Sequence, residues 1–220
     1  KELDSRITFY RDSVATYYNK EGKLTYATNN EPRFDHDPVT GESKGLLIEG
    51  TQTNSIVNSN PMRWTGNNAV YVVDNAAKAP DGTYSAVKIQ DIASTSAIFH
   101  GTYQHVSVTN GVAYTISGYF KAGTEDVVGF RMYDGSSMAM RGHFNLNSGT
   151  PSLINGTSIH MQDVGDGWYR CSIVGTATNT TGTADVYIFT TSVYTHTSTG
   201  DNSIYAWGIQ HEANPILSSY

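Results

Sequence analysis

The chain has 220 residues, of which 38% are hydrophobic and 11% aromatic, which is enough to bury one substantial core. Its net charge is −6 and its few Lys and Arg residues are scattered, so no basic stripe could neutralise phosphates and no nucleic-acid partner is expected. The single cysteine, Cys171, excludes an internal disulfide, and no apolar run reaches the roughly 18 residues that cross a bilayer, so no membrane insertion is expected.

The first sixty residues differ from the rest of the chain in composition and in strand pattern. They carry more charges, isolated aromatic residues and only short strand signals, and their opening, KELDSRITFYRDS, reads as a cut from a longer polypeptide. We place a boundary near Asn60-Pro61. Residues 1–60 are predicted to form an N-terminal extension with a β-hairpin that packs on a sandwich domain, residues 61–220.

Residues 31–50, EPRFDHDPVTGESKGLLIEG, gather acidic groups and a histidine around a proline and a glycine. A helix-flanked calcium loop needs an oxygen ligand at its fifth position and a bidentate Glu at its twelfth, where this stretch has Val39 and Leu46. Pro38 presets its φ, and Gly41 can take a positive φ. The stretch is therefore predicted to be a hairpin turn. No cofactor is predicted, and a structural calcium is left open without a clear motif.

Ten short strands are predicted from the alternation of apolar and polar residues between turn signals. No window of ten or more residues shows helical periodicity. This series predicts an all-β chain folded as a two-sheet antiparallel β-sandwich of the jelly-roll kind. The predicted strands are Gly45 to Glu49, Ala69 to Val73, Tyr84 to Gln90, Ala97 to His105, Ala113 to Lys121, Val127 to Tyr133, Gly142 to Leu146, Trp168 to Gly175, Ala184 to Thr191 and Ser203 to His211.

The alternation also predicts which side chains of three strands, YTISGYFKAG, VVGFRMYDG and ADVYIFTT, face the core. The inward side chains are predicted to be Tyr114, Ile116, Phe120, Val128, Phe130, Met132, Val186 and Ile188. The outward side chains include Tyr119, Lys121, Arg131, Tyr133 and Tyr187.

These five outward residues have the chemistry of a carbohydrate-binding platform. Aromatic rings stack on the apolar faces of sugars, and cationic or amide groups hydrogen-bond the hydroxyls or pair with acidic sugars. We predict that the five share one sheet face and that Trp64 and Trp207 extend it. The alternative is that loops or the N-terminal segment cover this face and make its aromatic residues a second, minor core. The sequence leaves both readings open.

Metal-binding and catalytic residues are not predicted. None of the seven histidines is spaced as a ligand pair on a helix, and His100 and His105 are expected on opposite faces of one strand. Asp163 and Asp166 could be the paired carboxylates of a glycosidase, but their closeness and the neighbouring glycines predict a turn into the Trp168 strand. No Gly-x-Ser-x-Gly elbow occurs.

One short motif has an enzymatic parallel. YFKAG, residues 119–123, resembles part of a motif of β-jelly-roll alginate lyases, in which the Tyr of a companion motif acts with Arg, Gln and His. No Arg-x-Glu-x-Arg segment occurs, and the only nearby Gln/His grouping is the inverted IHMQ at 159–162. A polysaccharide lyase is therefore kept as an alternative to a protein that is not an enzyme.

The N-terminal stretch ITFYRDSVATYYNKEGKLTYATNNEPRFDHDPVTGESKGLLIEGTQTNSIVNS resembles the opening of a group of bacteriophage tail-fibre and head-spike proteins. In those proteins an aromatic-Arg-Ser-x-Ala-Thr-Tyr segment precedes a Pro-Arg-Phe-Asp-x-Asp-Pro turn and a Gly-Leu-Leu-Ile-Glu strand. The later YTISGYFKAG, GDGWYRCSI and IYAWGIQHE are similar to recurring strands of the same proteins, so the resemblance spans nearly the whole chain.

From about Pro61 onward, the chain also resembles sandwich carbohydrate-binding modules, with APDGTYSAVKI followed by a Tyr-Thr-x-Ser-x-Tyr strand. The resemblance implies a carbohydrate-binding-module-like or concanavalin-like sandwich. Such modules often hold a structural calcium through an acidic pair in the last strand, where this chain has AWGIQHE.

Together the resemblances imply a non-catalytic module on the surface of a phage virion, exposed to the extracellular medium. Its implied partners are a polysaccharide or host-surface glycan and other parts of the virion protein. Fibre proteins of this type are often trimeric, so a homo-oligomer is an expectation that comes from the resemblance. A structural or assembly module without its own ligand is the alternative from a different class.

Overall fold

A computed structural model describes residues 3–135, 139–178 and 182–220. In these ranges the regular structure is almost wholly β, with one turn of 3-10 helix at Pro61–Arg63 and no helix long and apolar enough to cross a membrane. The strands of the first half are β1 (Ala15–Tyr18), β2 (Leu24–Ala27), β3 (Phe34–His36), β4 (Ser43–Leu46), β5 (Gly66–Asn68), β6 (Val70–Ala77), β7 (Ala86–Asp91), β8 (Ser94–Phe99) and β9 (Gly101–Ser107). Those of the second half are β10 (Ala113–Ala122), β11 (Val127–Tyr133), β12 (Met140–Asn145), β13 (Thr150–Asn155), β14 (Ser158–Asp163), β15 (Trp168–Thr176), β16 (Thr183–Phe189), β17 (Thr195–Ser198) and β18 (Ser203–Glu212).

Two six-stranded antiparallel sheets form the body of the protein. The first sheet has the strand order β14-β15-β10-β18-β7-β6, and the second sheet has the order β13-β12-β11-β16-β9-β5. Three further two-stranded sheets pair β1 with β2, β3 with β4, and β8 with β17. The predicted all-β, two-sheet antiparallel sandwich is confirmed.

The main core lies between the two six-stranded sheets. Its inward side chains come from alternate positions of β10, β11 and β16, as the sequence pattern predicted, and Phe120 and Phe130 meet edge to face with ring centroids 5.4 Å apart. Ile116, Met132 and Ile188 are completely buried beside them. Burying one such side chain contributes roughly 1.5–3 kcal/mol. The sandwich is therefore held mainly by this apolar layer.

The predicted hairpin turn between the strands around residues 34 and 46 is also confirmed. Asp37 Oδ1 accepts hydrogen bonds of 3.0 Å from the backbone N–H groups of both Val39 and Thr40, and Gly41 takes a φ of +70°. These hydrogen bonds from Thr40 and Val39 lower the pKa of Asp37 to about 2. The carboxylate is thus used to close the turn between β3 and β4.

One predicted strand, Ala97 to His105, is wrong as a single element. The strand is interrupted at His100. β8 before it pairs with β17, and β9 after it belongs to the second sheet. Gly101 permits the break, because a Cβ there would lie 2.2 Å from the carbonyl oxygen of Ile188. His100 and His105 therefore do not share a strand.

The strands that the sequence pattern misses lie at edges or in the small sheets. β13 is an edge strand with every residue exposed, β14 is the edge of the first sheet, and β5 has only three residues. Such strands bury little, and so they lack the apolar alternation from which strands are recognised.

The N-terminal segment covers the outer face of the first sheet and forms a second apolar cluster there. Tyr18 of β1 and Leu24 of β2 pack with Tyr119 of β10 and Trp207 of β18. The hydroxyl of Tyr18 donates to that of Tyr119 at 3.4 Å. The C-terminal Tyr220 completes the cover, with its ring centroid 4.5 Å from that of Trp207.

An ion pair between a buried arginine and a partly buried glutamate ties this cover to the sandwich. Arg33, which is 3% exposed, donates through Nη1 to Glu49 Oε2 at 2.9 Å, to Ser219 Oγ at 2.8 Å and to the carbonyl oxygen of Thr16 at 2.9 Å. Glu49 in turn accepts from the backbone N–H and the hydroxyl of Ser219, both at 2.7 Å. One side chain, Arg33, therefore joins β1, the segment after β4 and the C-terminus.

We predict that Arg33→Ala lowers the free energy of unfolding by about 3–5 kcal/mol, because it leaves the carboxylate of Glu49 without its buried partner. Urea unfolding followed by circular dichroism measures the change. Lys20→Ala is the matched control, since its ion pair with Glu21 is exposed and should contribute less than about 1 kcal/mol. Equal effects of the two substitutions would contradict the assigned role of Arg33.

Candidate functional site

The five outward residues predicted to form one binding platform do not share a face. Tyr119 and Lys121 lie on β10 of the first sheet, whereas Arg131, Tyr133 and Tyr187 lie on β11 and β16 of the second. The chain crosses from one sheet to the other between β10 and β11. Outward positions on these two strands therefore point away from opposite sides of the sandwich.

On the first sheet, the predicted residues are covered. Tyr119 is fully buried and Trp207 is 7% exposed, both under the N-terminal segment, as in the second-core alternative. Half-buried Lys121 donates to the carbonyl oxygen of Asp166. Trp64 belongs to the main core, where its Nε1 donates to the carbonyl oxygen of Asn58 at 2.9 Å. None of these side chains offers a ring face to a ligand.

On the second sheet, the outward residues form a continuous row across four strands. The register places Arg141 of β12 opposite Arg131 of β11, Arg131 opposite Tyr187 of β16, and Tyr187 opposite Tyr103 of β9. Neighbours in such a row have Cβ atoms about 4.5–5.5 Å apart. Together with Tyr133 and Tyr194, these residues are called the aromatic face below. Its members are Tyr103, Arg131, Tyr133, Arg141, Tyr187 and Tyr194.

Arg131 is held between two aromatic rings. Its guanidinium carbon lies 3.7 Å from the ring centroid of Tyr194 and 4.2 Å from that of Tyr187, with Tyr133 further out at 5.8 Å. Tyr194 comes from the segment between β16 and β17 and stacks on Phe99 at 4.7 Å. A guanidinium in this position is fixed by cation–π attraction without losing its N–H donors.

Several donors on this side of the sheet have no partner. Nε of Arg131, Nε of Arg141 and Nε2 of His143 are buried, and no hydrogen bond reaches them within the described residues. Burial, and then the charge of Arg131, lowers the pKa of Arg141, and burial, and then the charge of Arg141, lowers the pKa of His143. In the described ranges no carboxylate forms an ion pair with either arginine. The face thus carries two arginines without a carboxylate partner, and several of its buried polar nitrogens are unpaired.

The one carboxylate beside these rings is already occupied. Asp185 Oδ2 accepts from the hydroxyl of Tyr187 at 3.2 Å, and Oδ1 is hydrogen-bonded to Nδ1 of His105. Burial, and then the charge of Asp185, raises the pKa of Tyr187 to about 12. Tyr187 therefore stays a neutral phenol at physiological pH, with its ring orientation fixed by Asp185.

Glycines let aromatic rings lie against this sheet. A Cβ on Gly129 would lie 1.7 Å from the ring of Phe189, and one on Gly66 would lie 2.4 Å from the ring of Tyr103. Of these two rings, that of Phe189 is fully buried under Phe99 and Tyr194, whereas that of Tyr103 is partly exposed.

The sequence prediction missed Tyr103, Arg141, His143 and Tyr194. Arg141 and His143 could have been predicted from the sequence. Their strand alternates, and because Gly142 and Phe144 face the core, Arg141 and His143 face outward. Tyr194 had no such signal, since it lies outside the regular strands.

The two sequence features with an enzymatic reading have structural roles. Asp163 Oδ1 accepts from the backbone N–H of Gly165 at 2.8 Å, and Asp166 takes a φ of +53°. The predicted turn between β14 and β15 is thereby confirmed. In YFKAG, both Tyr119 and Phe120 are fully buried and present no reactive group at the surface.

No protein-family model matches the sequence, and neither does any curated protein. The chain is similar in structure to the CBM22-1 xylan-binding domain from Paenibacillus barcinonensis Xyn10C, at 12% identity over 78% of this chain and 99% of that chain, with a TM-score of 0.43. It is similar to TmCBM61 solved with β-1,4-galactotriose, at 12% identity over 74% and 99%, with a TM-score of 0.41. It is also similar to the enzymatically active domain of bacteriophage CBA120 tailspike protein 4, at 13% identity over 72% of this chain and 21% of that chain, with a TM-score of 0.43. At these scores and identities the likenesses carry no inference about the ligand of this chain.

We predict that Gly129→Ala lowers the free energy of unfolding by about 1–3 kcal/mol, because the added methyl group would displace the ring of Phe189. Gly50→Ala is the control, since nothing lies closer than 3.9 Å to a Cβ at that position. Thermal and urea unfolding of the two variants measure the difference. A Gly129 variant as stable as the control would show that the packing of Phe189 does not depend on this glycine.

Proposed function

We propose that this protein is a non-catalytic module that binds polysaccharide on the aromatic face of its second sheet. The observation that carries the proposal is the arrangement of Arg131, which is clamped between Tyr187 and Tyr194 and pairs with no carboxylate within the described residues. A clamped guanidinium without a carboxylate partner, next to aromatic rings, matches the needs of a sugar ring, which presents C–H faces for stacking and hydroxyls for hydrogen bonds.

The charge on this face favours an acidic polysaccharide. Arg131 and Arg141 face each other across neighbouring strands, and neither pairs with a carboxylate in the described part of the chain. Bringing two guanidinium groups together costs Coulomb energy, which a carboxylate or sulfate on a sugar would offset. Arginine also matches planar carboxylates with two parallel N–H bonds.

The wider role in this proposal follows from the sequence resemblance to phage fibre and spike proteins. The module stands on the surface of a virion, is joined to other parts of a virion protein and recognises a host-surface glycan. The aromatic face lies on the side of the sandwich opposite to the N-terminal cover. A module attached through its N-terminal segment would therefore present this face outward.

We predict that Tyr187→Ala and Arg131→Ala each weaken polysaccharide binding about tenfold, because each substitution removes one stacking or charge-assisted contact worth about 1–1.5 kcal/mol. Glycan-array screening identifies a bound polysaccharide, and affinity electrophoresis in gels that contain it measures retention. Tyr84→Ala is the control, since Tyr84 is exposed and lies outside the aromatic face.

Retention that is the same in all three variants would refute the aromatic face as the site. Failure of the unsubstituted protein to bind any glycan would instead favour a structural module without its own ligand. Release of unsaturated sugars, detected by new ultraviolet absorbance, would favour a lyase.

We predict a preference for acidic over neutral chains. Uronate polymers should be retained more strongly than xylan or galactan, and the retention should fall as the salt concentration rises. Arg141→Gln should reduce this preference about tenfold, because one unpaired guanidinium is removed. Equal retention of neutral and acidic polymers, unaffected by salt, would contradict the charge argument while leaving stacking on the face intact.

A further inference from the structure

A buried cluster of two histidines and one aspartate lies where the small β8–β17 sheet meets the sandwich. Asp91 is the last residue of β7, His100 lies between β8 and β9, and His196 is on β17. One ligand atom from each, a carboxylate oxygen and two ring nitrogens, all lie within 4.8 Å of one another. In the described ranges this is the only group of three or more such side chains close enough to hold one metal ion.

The cluster is largely buried, and only its His196 side is partly exposed to solvent. Asp91 and His100 are fully buried, whereas 12% of the His196 side chain is exposed. Asp91 is oriented by its neighbours, since Oδ1 accepts from the hydroxyl of Thr190 and Oδ2 from Nδ2 of Asn202 at 3.3 Å. Neighbouring donors that hold a carboxylate in place are a regular feature of metal sites.

The polar neighbours of His100 indicate which of its nitrogens can bind a metal ion. Nδ1 lies 3.1 Å from the carbonyl oxygen of Ile98, whereas Nε2 lies 3.2 Å from that of Ile92 and 3.1 Å from the hydroxyl of Ser94. With Nδ1–H donating to Ile98, Nε2 carries a lone pair that either the hydroxyl of Ser94 or a metal ion can use.

His196 brings a second imidazole to the same carboxylate. Its Nε2 lies 2.8 Å from Oδ2 of Asp91, and its Nδ1 lies 3.5 Å from the hydroxyl of Thr191. The rings of His100 and His196 are tilted by 37° with centroids 4.3 Å apart. Two imidazoles and one carboxylate that converge in this way can share one divalent ion.

We propose that Asp91, His100 and His196 form a zinc site. Zinc favours imidazole nitrogen and carboxylate oxygen, whereas calcium takes six to eight oxygen ligands, which this cluster does not supply. Ligand atoms around a tetrahedral zinc lie about 3.3 Å apart, so side-chain adjustments of about 1 Å would close the cluster on the ion. With Nδ1–H of His100 donating to Ile98, its Nε2 is the ligand nitrogen. The fourth position is open to water on the side of His196.

A metal ion bound at this site would hold the segment that contains Tyr194 in place. Thr190 and His196, which both contact Asp91, stand on either side of Tyr194 in the chain. Phe99, the ring on which Tyr194 stacks, immediately precedes His100. A metal bound here would join β7, the end of β8 and β17 at a single point.

The test measures zinc binding by the full chain and does not depend on any glycan. Protein stripped with a chelator is titrated with zinc chloride by calorimetry, and cobalt(II) replaces zinc to report the coordination geometry through its visible absorption. We expect one ion per chain, a tetrahedral cobalt spectrum and a higher unfolding temperature with zinc than with chelator.

His196→Ala should weaken zinc binding by at least about 100-fold. His196 is the most accessible ligand, so this variant is expected to fold, and circular dichroism verifies that it does. Asn202→Ala, which removes a donor to Asp91, should weaken binding about tenfold. His160→Ala, at an exposed position on β14, is the control and should bind like the unsubstituted protein.

No stoichiometric zinc binding by the stripped protein would overturn the proposal, as would binding that His196→Ala leaves unchanged. Nitrogen-15 NMR of the histidine rings distinguishes the competing arrangement. Ring nitrogens whose signals zinc leaves unchanged would show that hydrogen bonds, and not a metal, hold the cluster together.

Discussion

The position of the N-terminal cover depends on the ion pair between buried Arg33 and partly buried Glu49. Buried ion pairs add little net stability compared with apolar packing, but an unpaired buried charge is costly, so such a pair selects one arrangement over others. Here three chain segments, which hold Thr16, Glu49 and Ser219, converge on one guanidinium. The N-terminal segment is therefore fixed on the outer face of the first sheet, and it leaves the outer face of the second sheet uncovered.

Both outer faces of the sandwich hold buried polar atoms without a partner, and the faces differ in what covers them. Under the N-terminal cover, Nε of Arg33 and Nε of Arg170 have no partner within the described residues. On the second sheet, Nε of Arg131, Nε of Arg141 and Nε2 of His143 have none either. Each unsatisfied buried polar atom costs about 1–3 kcal/mol. The arginines of the second sheet lie outside the N-terminal cover, which is the side that a ligand rich in acceptor oxygens would approach.

Local sequence patterns predicted what depends on local geometry. The alternation in β10, β11 and β16 gave the core side chains correctly, because a strand buried on one face leaves a period of two in the sequence. The alternation does not show which of the two sheets a strand joins. For that reason Tyr119 and Arg131 were predicted on one sheet face, although they lie on different sheets. The cluster of Asp91, His100 and His196 could not be predicted from local patterns either. Strand pairing across about a hundred residues brings His196 close to the other two residues.

The position of Tyr194 connects the aromatic face to that cluster. The small sheet of β8 and β17 has only two strands, and isolated two-stranded sheets are marginally stable in water. Its position therefore depends on contacts outside its own ladder, chiefly those of Asp91 with Thr190 and His196 and the stack of Phe99 on Tyr194. Since Tyr194 forms one side of the clamp on Arg131, the packing around Asp91 and the two imidazole rings supports one side of the aromatic face. Coupling of this kind needs no long pathway, because Phe99 contacts Tyr194 directly and adjoins His100 in the chain.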